Sequence, residues 1–462
     1  MHPKRSPCAQ QHRRIRSHVH NSDAYAFFNL LTRPELLGEV ASLVPPHRER
    51  VFPPTETLSM LLAQALSADR SCQKAVNDTA IKRVAGGLPR CSTHTGAYCR
   101  ARQRLPTEMI STLVRQLGRR ITAQAPEPWR WRGRPVRLVD GTTVVMPDTP
   151  ANQAAYPQPR SQKPGLGFPL CRLVGILCLG SGAVLNAAIG RYQGKGGDEQ
   201  TLLRSILDTL ERGDLLVGDA CYATYVLLCT LRALGIDAVF EPYGARQRRT
   251  DFRCGQRLGP RDHLIRLHKP TSKPDWMTQA AYDQAPDTLM ARELRTGGKT
   301  LVTTLLCPKK THKSALKALY RSRWQVELDL RNITSTLGME RLSCQTPTMA
   351  IKEMWVHLLA YNLIRLMMAQ AALLTDSLPR QLSFKHTLQL WIAWDHHGHD
   401  IDHDETRYGL FVLIAQQRVG HRPGRIEPRA IKRRPKPYPL LTKPRAIASK
   451  DARNYGHPEK LK

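Results

Sequence analysis

The segment Tyr320-Arg-Ser-Arg-Trp-Gln-Val-Glu327 carries an aromatic ring, a cation and a carboxylate at intervals of three and four residues. It contains no helix-breaking residue, so this spacing puts all three groups on one stripe of a single helix. At about 100° per residue, Arg323 lies about 60° and Glu327 about 20° behind Tyr320. Such a face has the groups needed to hold a metal ion and a phosphate. The alternative is an ordinary amphipathic helix with a surface Arg–Glu pair.

Two further acids, Asp140 and Asp219, each end a short apolar run that is typical of a buried strand. Strand ends of an α/β sheet bring distant segments to one edge, although an Asp there also serves as a turn former or helix cap. Together with Glu327 they would repel one another unless a hard divalent cation neutralises them. Two Mg²⁺ ions about 3.5–4 Å apart suit phosphodiester displacement. These three acids are therefore the predicted catalytic residues and metal ligands.

The charge of the chain indicates a polyanionic partner. Its 462 residues include 70 Lys and Arg against 38 Asp and Glu, a formal net charge of +32. Charge of this size favours nucleic acid but selects no reaction. The eleven cysteines form no repeated Cys-x-x-Cys pairs, and no stretch of about 18 uncharged apolar residues occurs. We therefore expect a cytoplasmic protein with reduced thiols and no membrane association.

The elements that must position the acids predict an α/β fold with an RNase H-like catalytic core. Residues 135–241 follow the order three strands, helix, strand, helix, strand, which is the element order of such a sheet. The core is expected to resume at 311–345. Between its two parts, residues 242–310 lose the helical period and predict a strand-rich, basic insertion.

Helical regions flank this core on both sides. Helical periodicity covers 23–125, a predicted DNA-end-binding domain, and a linker at 126–134 leads into the core. A second helical region is predicted at 346–420. The basic N-terminus at 1–22 and the basic, Pro-rich tail at 421–462 are expected to be disordered.

One short helix of the N-terminal region carries three arginines, Arg100, Arg102 and Arg104, after a stretch of capping hydroxyl residues. This pattern favours a helix-turn-helix-like DNA reader, so all three arginines are candidate DNA contacts. A solvated basic helix face is the alternative.

The motifs around the three acids resemble those of bacterial insertion-sequence transposases of the DDE class, in the IS-four-like branch with a Tyr-(2)-Arg-(3)-Glu-(6)-Lys signature. Val139-Asp-Gly-Thr-Thr143 resembles the first acidic motif and Val217-Gly-Asp-Ala-Cys-Tyr222 the second, while Tyr320, Arg323 and Glu327 match the third. The resemblance extends over nearly the whole chain. Each motif alone is weak, but the set is specific.

This resemblance implies a DNA transposase that binds the terminal inverted repeats of its element, cleaves the ends by Mg²⁺-dependent hydrolysis and joins the 3′-OH ends to target DNA. It implies two Mg²⁺ ions per active site, with Mn²⁺ as a substitute, and no nucleotide cofactor. Double-stranded DNA would be the partner, a homodimer would form in the synaptic complex, and the protein would be nucleoid-associated in the bacterial cytoplasm. A catalytically impaired end-binding protein and a metal-dependent nuclease without strand transfer are the alternatives.

The resemblance also implies a role for each residue of the signature. Asp140 would bridge both ions, while Asp219 and Glu327 would each complete one. Tyr320 and Arg323 would contact the phosphate next to the cut, with the guanidinium as a bidentate donor.

One position departs from the signature, because Thr334 stands where the family has Lys. On a continuous helix residue 334 lies about 40° behind Tyr320, so a hydroxyl replaces a cation directed at the DNA backbone. Arg331 projects about 20° ahead of Tyr320 on the same stripe. We therefore expect Arg331 to contact DNA and to compensate for the missing charge.

Two residues outside the signature are further candidates. Members of this branch release their element through a hairpin with the help of an aromatic residue that holds a flipped base, and Trp276 in the insertion is the candidate for that role. A local hydrophobic anchor is its alternative. Glu199 opens a predicted helix, where an acid favours the helix dipole, but it could also support the metal ligands.

Overall fold

The computed structural model describes residues 51–67, 69–85, 87, 90–194, 196–244, 250–397, 404–420 and 441–456. The basic N-terminus at 1–22, the start of the N-terminal helical region and most of the Pro-rich tail lie outside these residues. The described chain is a mixed α/β structure with one nine-stranded sheet. Two apolar cores cover opposite faces of this sheet, since Leu138 belongs to one core and the next residue, Val139, to the other.

The strands are β1 (Val136–Val145), β2 (Leu170–Cys178), β3 (Val184–Arg191), β4 (Leu215–Val217), β5 (Asp237–Phe240), β6 (Gln256–Gly259), β7 (Asp262–His268), β8 (Thr288–Thr296) and β9 (Lys299–Thr303). Their order in the sheet is β3-β2-β1-β4-β5-β9-β8-β7-β6. β4 pairs in parallel with both β1 and β5, whereas the other described pairs are antiparallel. The parallel strands β4 and β5 are short and apolar, as is typical of strands covered on both faces.

The helices are α1 (Pro54–Leu66), α2 (Cys72–Ala85), α3 (Gly96–Arg104), α4 (Thr107–Ala123), α5 (Pro150–Ala155), α6 (Glu199–Arg204), α7 (Tyr225–Ala233), α8 (Gln279–Gln284), α9 (Lys313–Arg321), α10 (Trp324–Arg331), α11 (Pro347–Leu374), α12 (Phe384–His397), α13 (Asp404–Gln416) and α14 (Arg445–Tyr455). Single 3-10 turns lie at Glu127–Trp129, Leu207–Thr209, Ala220–Tyr222 and Pro379–Gln381, and a π-helical turn at Asn332–Thr336.

Asp140 does not end a strand, so this detail of the prediction is wrong. The pairing of β1 with β4 stops at Leu138 and Val217, but its pairing with β2 continues from Asp140 and Gly175 to the end of β1. Hydrogen bonding to β2 keeps the backbone extended on both sides of the acid. Asp140 therefore lies where β1 projects beyond its parallel neighbour, next to the chain that leaves β4.

The N-terminal helices divide between two cores. Tyr98 of α3 and Val76 of α2 are fully buried in a small core with part of α1. The apolar face of α4 packs instead on α11 and β3, within the main core. This contact requires Gly118, because a Cβ there would lie 2.2 Å from the carbonyl oxygen of Val184.

The strands of the 242–310 segment continue the main sheet through the pairing of β9 with β5. The fully buried Arg292 of β8 fixes this segment internally. Its guanidinium donates to both carboxylate oxygens of Asp262 in β7, at 2.8 and 2.6 Å, and to the carbonyl of Thr311 at 2.7 Å. A buried charge is tolerated when it is paired and hydrogen-bonded in this way. The contact with Thr311 ties the segment to the start of α9.

The stretch from Tyr320 to Glu327 is not one continuous helix, contrary to the prediction. α9 ends at Arg321, and Ser322 and Arg323 form a turn before α10. The Ser322 hydroxyl donates to the carbonyl of Leu319, the kind of local bond by which serine competes with helix geometry. A π-helical turn follows α10, so angles calculated for a straight helix do not hold at Thr334.

α11 is the central helix of the main core. It is long and apolar enough to cross a membrane, but 94% of its most apolar window is buried inside the protein. This burial is typical of the core helix of a globular protein. α12 and α13 pack against it.

The end of the tail is partly helical, which corrects the expectation of disorder for 445–455. α14 has the Ala-rich composition of a good helix former. At its first residue, Arg445 pairs with Asp148, and its guanidinium lies 4.4 Å from the ring centroid of Phe168. These contacts dock α14 on the loop between β1 and β2.

Candidate active site

The three predicted acids come from β1, from the turn after β4 and from α10. Asp140 Oδ1 accepts a hydrogen bond from the Gly141 amide at 2.8 Å. Asp219 Oδ1 accepts one from the Cys221 amide at 2.8 Å and so caps the 3-10 turn after β4. Since β1 and β4 are neighbouring parallel strands, both acids lie just beyond the end of their pairing, at the same edge of β4.

Arg323 links the first and third acids. Its Nη2 lies 2.8 Å from Glu327 Oε1, and its Nη1 lies 3.7 Å from Asp140 Oδ2. The Arg323–Glu327 contact has the spacing that the sequence predicts, even though Arg323 precedes the first residue of α10. The guanidinium is thus the positive charge between the two carboxylates in this conformation.

Tyr320 contacts an acid that the sequence reasoning missed. Its hydroxyl donates to Glu241 Oε1 at 2.9 Å, and Lys299 Nζ lies 2.5 Å from the same oxygen. Burial, together with the Glu241 charge, raises the pKa of the Tyr320 phenol. Glu241 directly follows β5, so the strand-end rule that selected Asp219 would have selected Glu241 as well.

Burial raises the pKa of Asp140 from its ordinary 3.8 to about 6. The Gly141 amide and the Arg323 guanidinium oppose this rise, whereas the charges of Asp219 and Glu199 add to it. The charged form of Asp140 is therefore disfavoured mainly by its burial, and the repulsion from Asp219 and Glu199 adds to this. An added cation would relieve this repulsion.

The donor set fits a hard divalent ion, because the acids offer carboxylate oxygens alone, the ligands that Mg²⁺ and Mn²⁺ prefer. Within the described ranges, no three His, Cys, Asp or Glu side chains converge closely enough to hold an ion as they stand. The Arg323 guanidinium lies between Asp140 and Glu327 instead. Ion binding at this place would therefore require Arg323 to give up its contact with at least one carboxylate.

The raised pKa predicts that Asp140→Asn stabilises the fold without divalent ions. Between pH about 4 and 6 the native carboxyl keeps a proton that the unfolded chain releases, so the wild type loses stability as pH rises through this window. Asn avoids this loss. We expect the variant to gain about 1–3 kcal/mol in unfolding free energy at pH 7.5 in EDTA, measured by urea denaturation, and almost nothing at pH 4. An equal gain at both pH values would contradict the assigned cause.

The three arginines of α3 do not share one exposed face. Arg100 and Arg104 are exposed. Arg102 is buried: its Nη1 lies 2.7 Å from Cys72 Sγ and its Nη2 2.9 Å from Cys344 Sγ. This position corrects the expectation of a surface-exposed Arg102, which instead links α2 and α3 to the segment before α11.

The remaining candidates lie on the surface or close to it. Arg331 is exposed at the end of α10. Thr334 is half-buried, and its hydroxyl donates to the carbonyl of Leu330 at 2.9 Å. Trp276 is 49% exposed, and the guanidinium carbon of Arg204 lies 3.7 Å from its ring centroid. Trp276 thus contacts α6, the helix that begins with Glu199.

Residues 131–363, just over half of the chain, match the family described as Transposase DDE domain. The chain belongs to this family, and it is therefore a DNA-processing enzyme of the DDE type, a class that generally depends on divalent metal ions. It is 27% identical over 363 residues to the transposase InsG for insertion sequence element IS4 of Escherichia coli (strain K12), covering 75% of this chain and 78% of that protein. These matches confirm the predicted family, the IS4-like DDE transposases.

Among solved structures, the chain is similar to the piggyBac transposase in a cryo-EM structure of its synaptic complex with hairpin DNA. The alignment covers 87% of this chain and 86% of that one, with a TM-score of 0.40 and 10% sequence identity.

Proposed function

We propose that this transposase binds the terminal inverted repeats of its element, cleaves the ends by Mg²⁺-dependent hydrolysis and joins the freed 3′-OH ends to target DNA. The observation that carries the proposal is the contact of one guanidinium, Arg323, with both Asp140 and Glu327 at the sheet edge where Asp219 also lies. The strand order β3-β2-β1-β4-β5 supports an RNase H-like core around this edge.

In this proposal Asp140, Asp219 and Glu327 would hold the two divalent ions. When bound, such ions activate the attacking oxygen and stabilise the leaving oxygen of the phosphodiester. Arg323 then releases one or both carboxylates and donates to the phosphate next to the cut, for which its planar guanidinium is suited. Tyr320 donates to the same phosphate, and Glu241 holds its hydroxyl in place before DNA arrives.

The net charge of +32 supports double-stranded DNA as partner, and Arg100 and Arg104 are proposed contacts on α3. Trp276 is proposed to stack on a flipped base, because half of its surface is exposed and the guanidinium of Arg204 stacks on its ring and holds it in place. Two copies assembled on paired ends would form the synaptic complex, in the bacterial cytoplasm at the nucleoid. Strand transfer exchanges phosphodiester bonds, so no nucleotide cofactor is proposed.

Incubation of the purified protein with labelled element ends, target DNA and Mg²⁺ tests this function. We expect end cleavage followed by joined products, and neither in EDTA. Binding without cleavage would favour an impaired end-binding protein. Cleavage without joining would favour a nuclease.

The impaired alternative rests on Thr334, whose hydroxyl is engaged with Leu330. If Arg331 supplies the missing cation, Arg331→Ala should lower strand transfer about tenfold, the effect of losing one charge-assisted hydrogen bond, whereas Thr334→Lys should add little. Quantifying joined products with both variants checks this. Full strand transfer by Arg331→Ala together with a large increase for Thr334→Lys would mean that this copy is impaired.

A further inference from the structure

Glu199 packs against the strand that carries Asp140. Gly141 directly follows Asp140, and a Cβ at this glycine would lie 2.6 Å from the carboxyl carbon of Glu199 and 2.7 Å from its Oε1. Any side chain at residue 141 would therefore displace the carboxylate. The glycine leaves room for an acid from α6 beside the first acid of the DDE set.

The second acidic motif holds the other side of this carboxylate. The fully buried Tyr222 donates from its hydroxyl to Glu199 Oε2 at 3.1 Å, and the Cys221 thiol lies 3.7 Å from the same oxygen. Both residues come within three positions of Asp219, in the turn that Asp219 caps. Glu199 is thus fixed between the β1 backbone and the turn after β4.

The charge of Glu199 is only weakly compensated by its cationic neighbour. Nε of Arg172 lies 3.9 Å from Oε1, beyond hydrogen-bond distance, while Nη1 of the same guanidinium donates to the carbonyl of Gly197 at 2.9 Å. The Glu199 side chain is 27% exposed. A partly buried carboxylate beside Asp140 and Asp219 is unfavourable unless further positive charge arrives.

We propose that Glu199 is a fourth acidic residue of the catalytic centre, which contributes to divalent-ion binding and is oriented by the hydroxyl of Tyr222. The proposal rests on the function proposed above and adds to it a residue outside the DDE signature. Carboxylate oxygens are the preferred ligands of hard divalent cations, and a hydrogen-bond donor to a ligating carboxylate fixes its orientation. The Gly141 backbone and the Tyr222 hydroxyl together provide this fixation.

Calorimetric titration of the full-length protein with Mn²⁺ tests the proposal without DNA. Glu199→Gln keeps an acceptor for Tyr222 but removes the charge, and we expect the apparent dissociation constant for Mn²⁺ to rise about tenfold or more. The Mg²⁺ concentration needed for half-maximal end cleavage should rise in parallel. Asp198→Asn is the matched control, because Asp198 is the exposed cap of the same helix and its loss removes an equal charge. Its Mn²⁺ affinity should equal that of the wild type.

Two more variants separate the effect of the position of the Glu199 carboxylate from the effect of its charge. Gly141→Ala should push the carboxylate aside without changing net charge, and Tyr222→Phe should remove its donor, so both should weaken Mn²⁺ binding. Wild-type Mn²⁺ affinity in folded Glu199→Gln would overturn the proposal, as would reduced cleavage by that variant with unchanged Mn²⁺ affinity. Those results would leave the DDE assignment intact if Asp219→Asn is inactive. An active Asp219→Asn would instead overturn the proposed function itself.

Discussion

Asp219→Asn is expected to abolish Mg²⁺-dependent cleavage of labelled element ends while leaving DNA binding intact. The substitution keeps the size of the side chain, and the Asn oxygen can still accept from the Cys221 amide that Asp219 caps. It removes one of the negative charges that attract divalent ions. Loss of a directly coordinating charge in such a centre removes several kcal/mol of transition-state stabilisation, so cleavage should fall by about 10³-fold or more.

The measurement compares initial rates of end cleavage with gel-shift affinities for the same DNA. Asp208→Asn is the matched control, since Asp208 is an exposed acid in a 3-10 turn of the same domain, and it should cleave at the wild-type rate. Substantial Mg²⁺-dependent cleavage by Asp219→Asn would show that the acid after β4 is not a metal ligand.

The second large effect is expected at Asp329, which anchors the helix that carries Glu327. Asp329 is fully buried on α10. Its Oδ1 lies 2.5 Å from Arg365 Nη2 on α11, and its Oδ2 lies 2.8 Å from Arg380 Nη2. Arg380 also donates to the carbonyl of Cys178 at the end of β2, at 3.1 Å. One carboxylate thus joins α10 to α11 and to the sheet.

Asp329→Asn should lower the unfolding free energy by about 3–5 kcal/mol, because it leaves the buried guanidinium of Arg365 and the partly buried one of Arg380 without a counter-charge. Urea denaturation at pH 7.5 measures the loss. In comparison, Asp78→Asn removes an exposed pair with Lys74 within α2 and should change the unfolding free energy by less than about 1 kcal/mol. If Asp329→Asn lowers the unfolding free energy as little as Asp78→Asn does, Asp329 does not anchor α10.

Asp329 and Glu327 are two residues apart on α10, so they point to different sides of the helix. The Asp329 side chain is buried in the core, and the Glu327 side chain faces the proposed active site. We therefore expect Asp329→Asn to reduce end cleavage even at temperatures where most of the protein is folded.

Local patterns were sufficient to select the three acids proposed for the site. The apolar runs before Asp140 and Asp219 predicted strands, and the four-residue interval between Arg323 and Glu327 predicted their contact. These features depend on the spacing of residues that are close together in sequence, and this spacing can be read from one amino-acid sequence. The same rules failed at Ser322, where a local hydroxyl bond interrupts the helix.

Contacts between distant segments were not predictable from such patterns. Tyr320 and Glu241 are 79 positions apart, and Arg102 and Cys344 are 242 apart. A residue type shows which bonds a side chain can make, but not which distant group the fold will bring to it. The burial of Arg102 was predictable in part, because Arg102 lies four residues after Tyr98 and three before Leu105, on the apolar stripe that α3 buries.

The pairing of β9 with β5 has a consequence for where the length of this protein can change. Within the sheet, the outer strands β6 to β8 are joined to β5 through β9, so they lie several strands away from β1 and β4, which lead to Asp140 and Asp219. The strands farthest from Asp140 and Asp219 are therefore where a change of length would disturb the proposed site least.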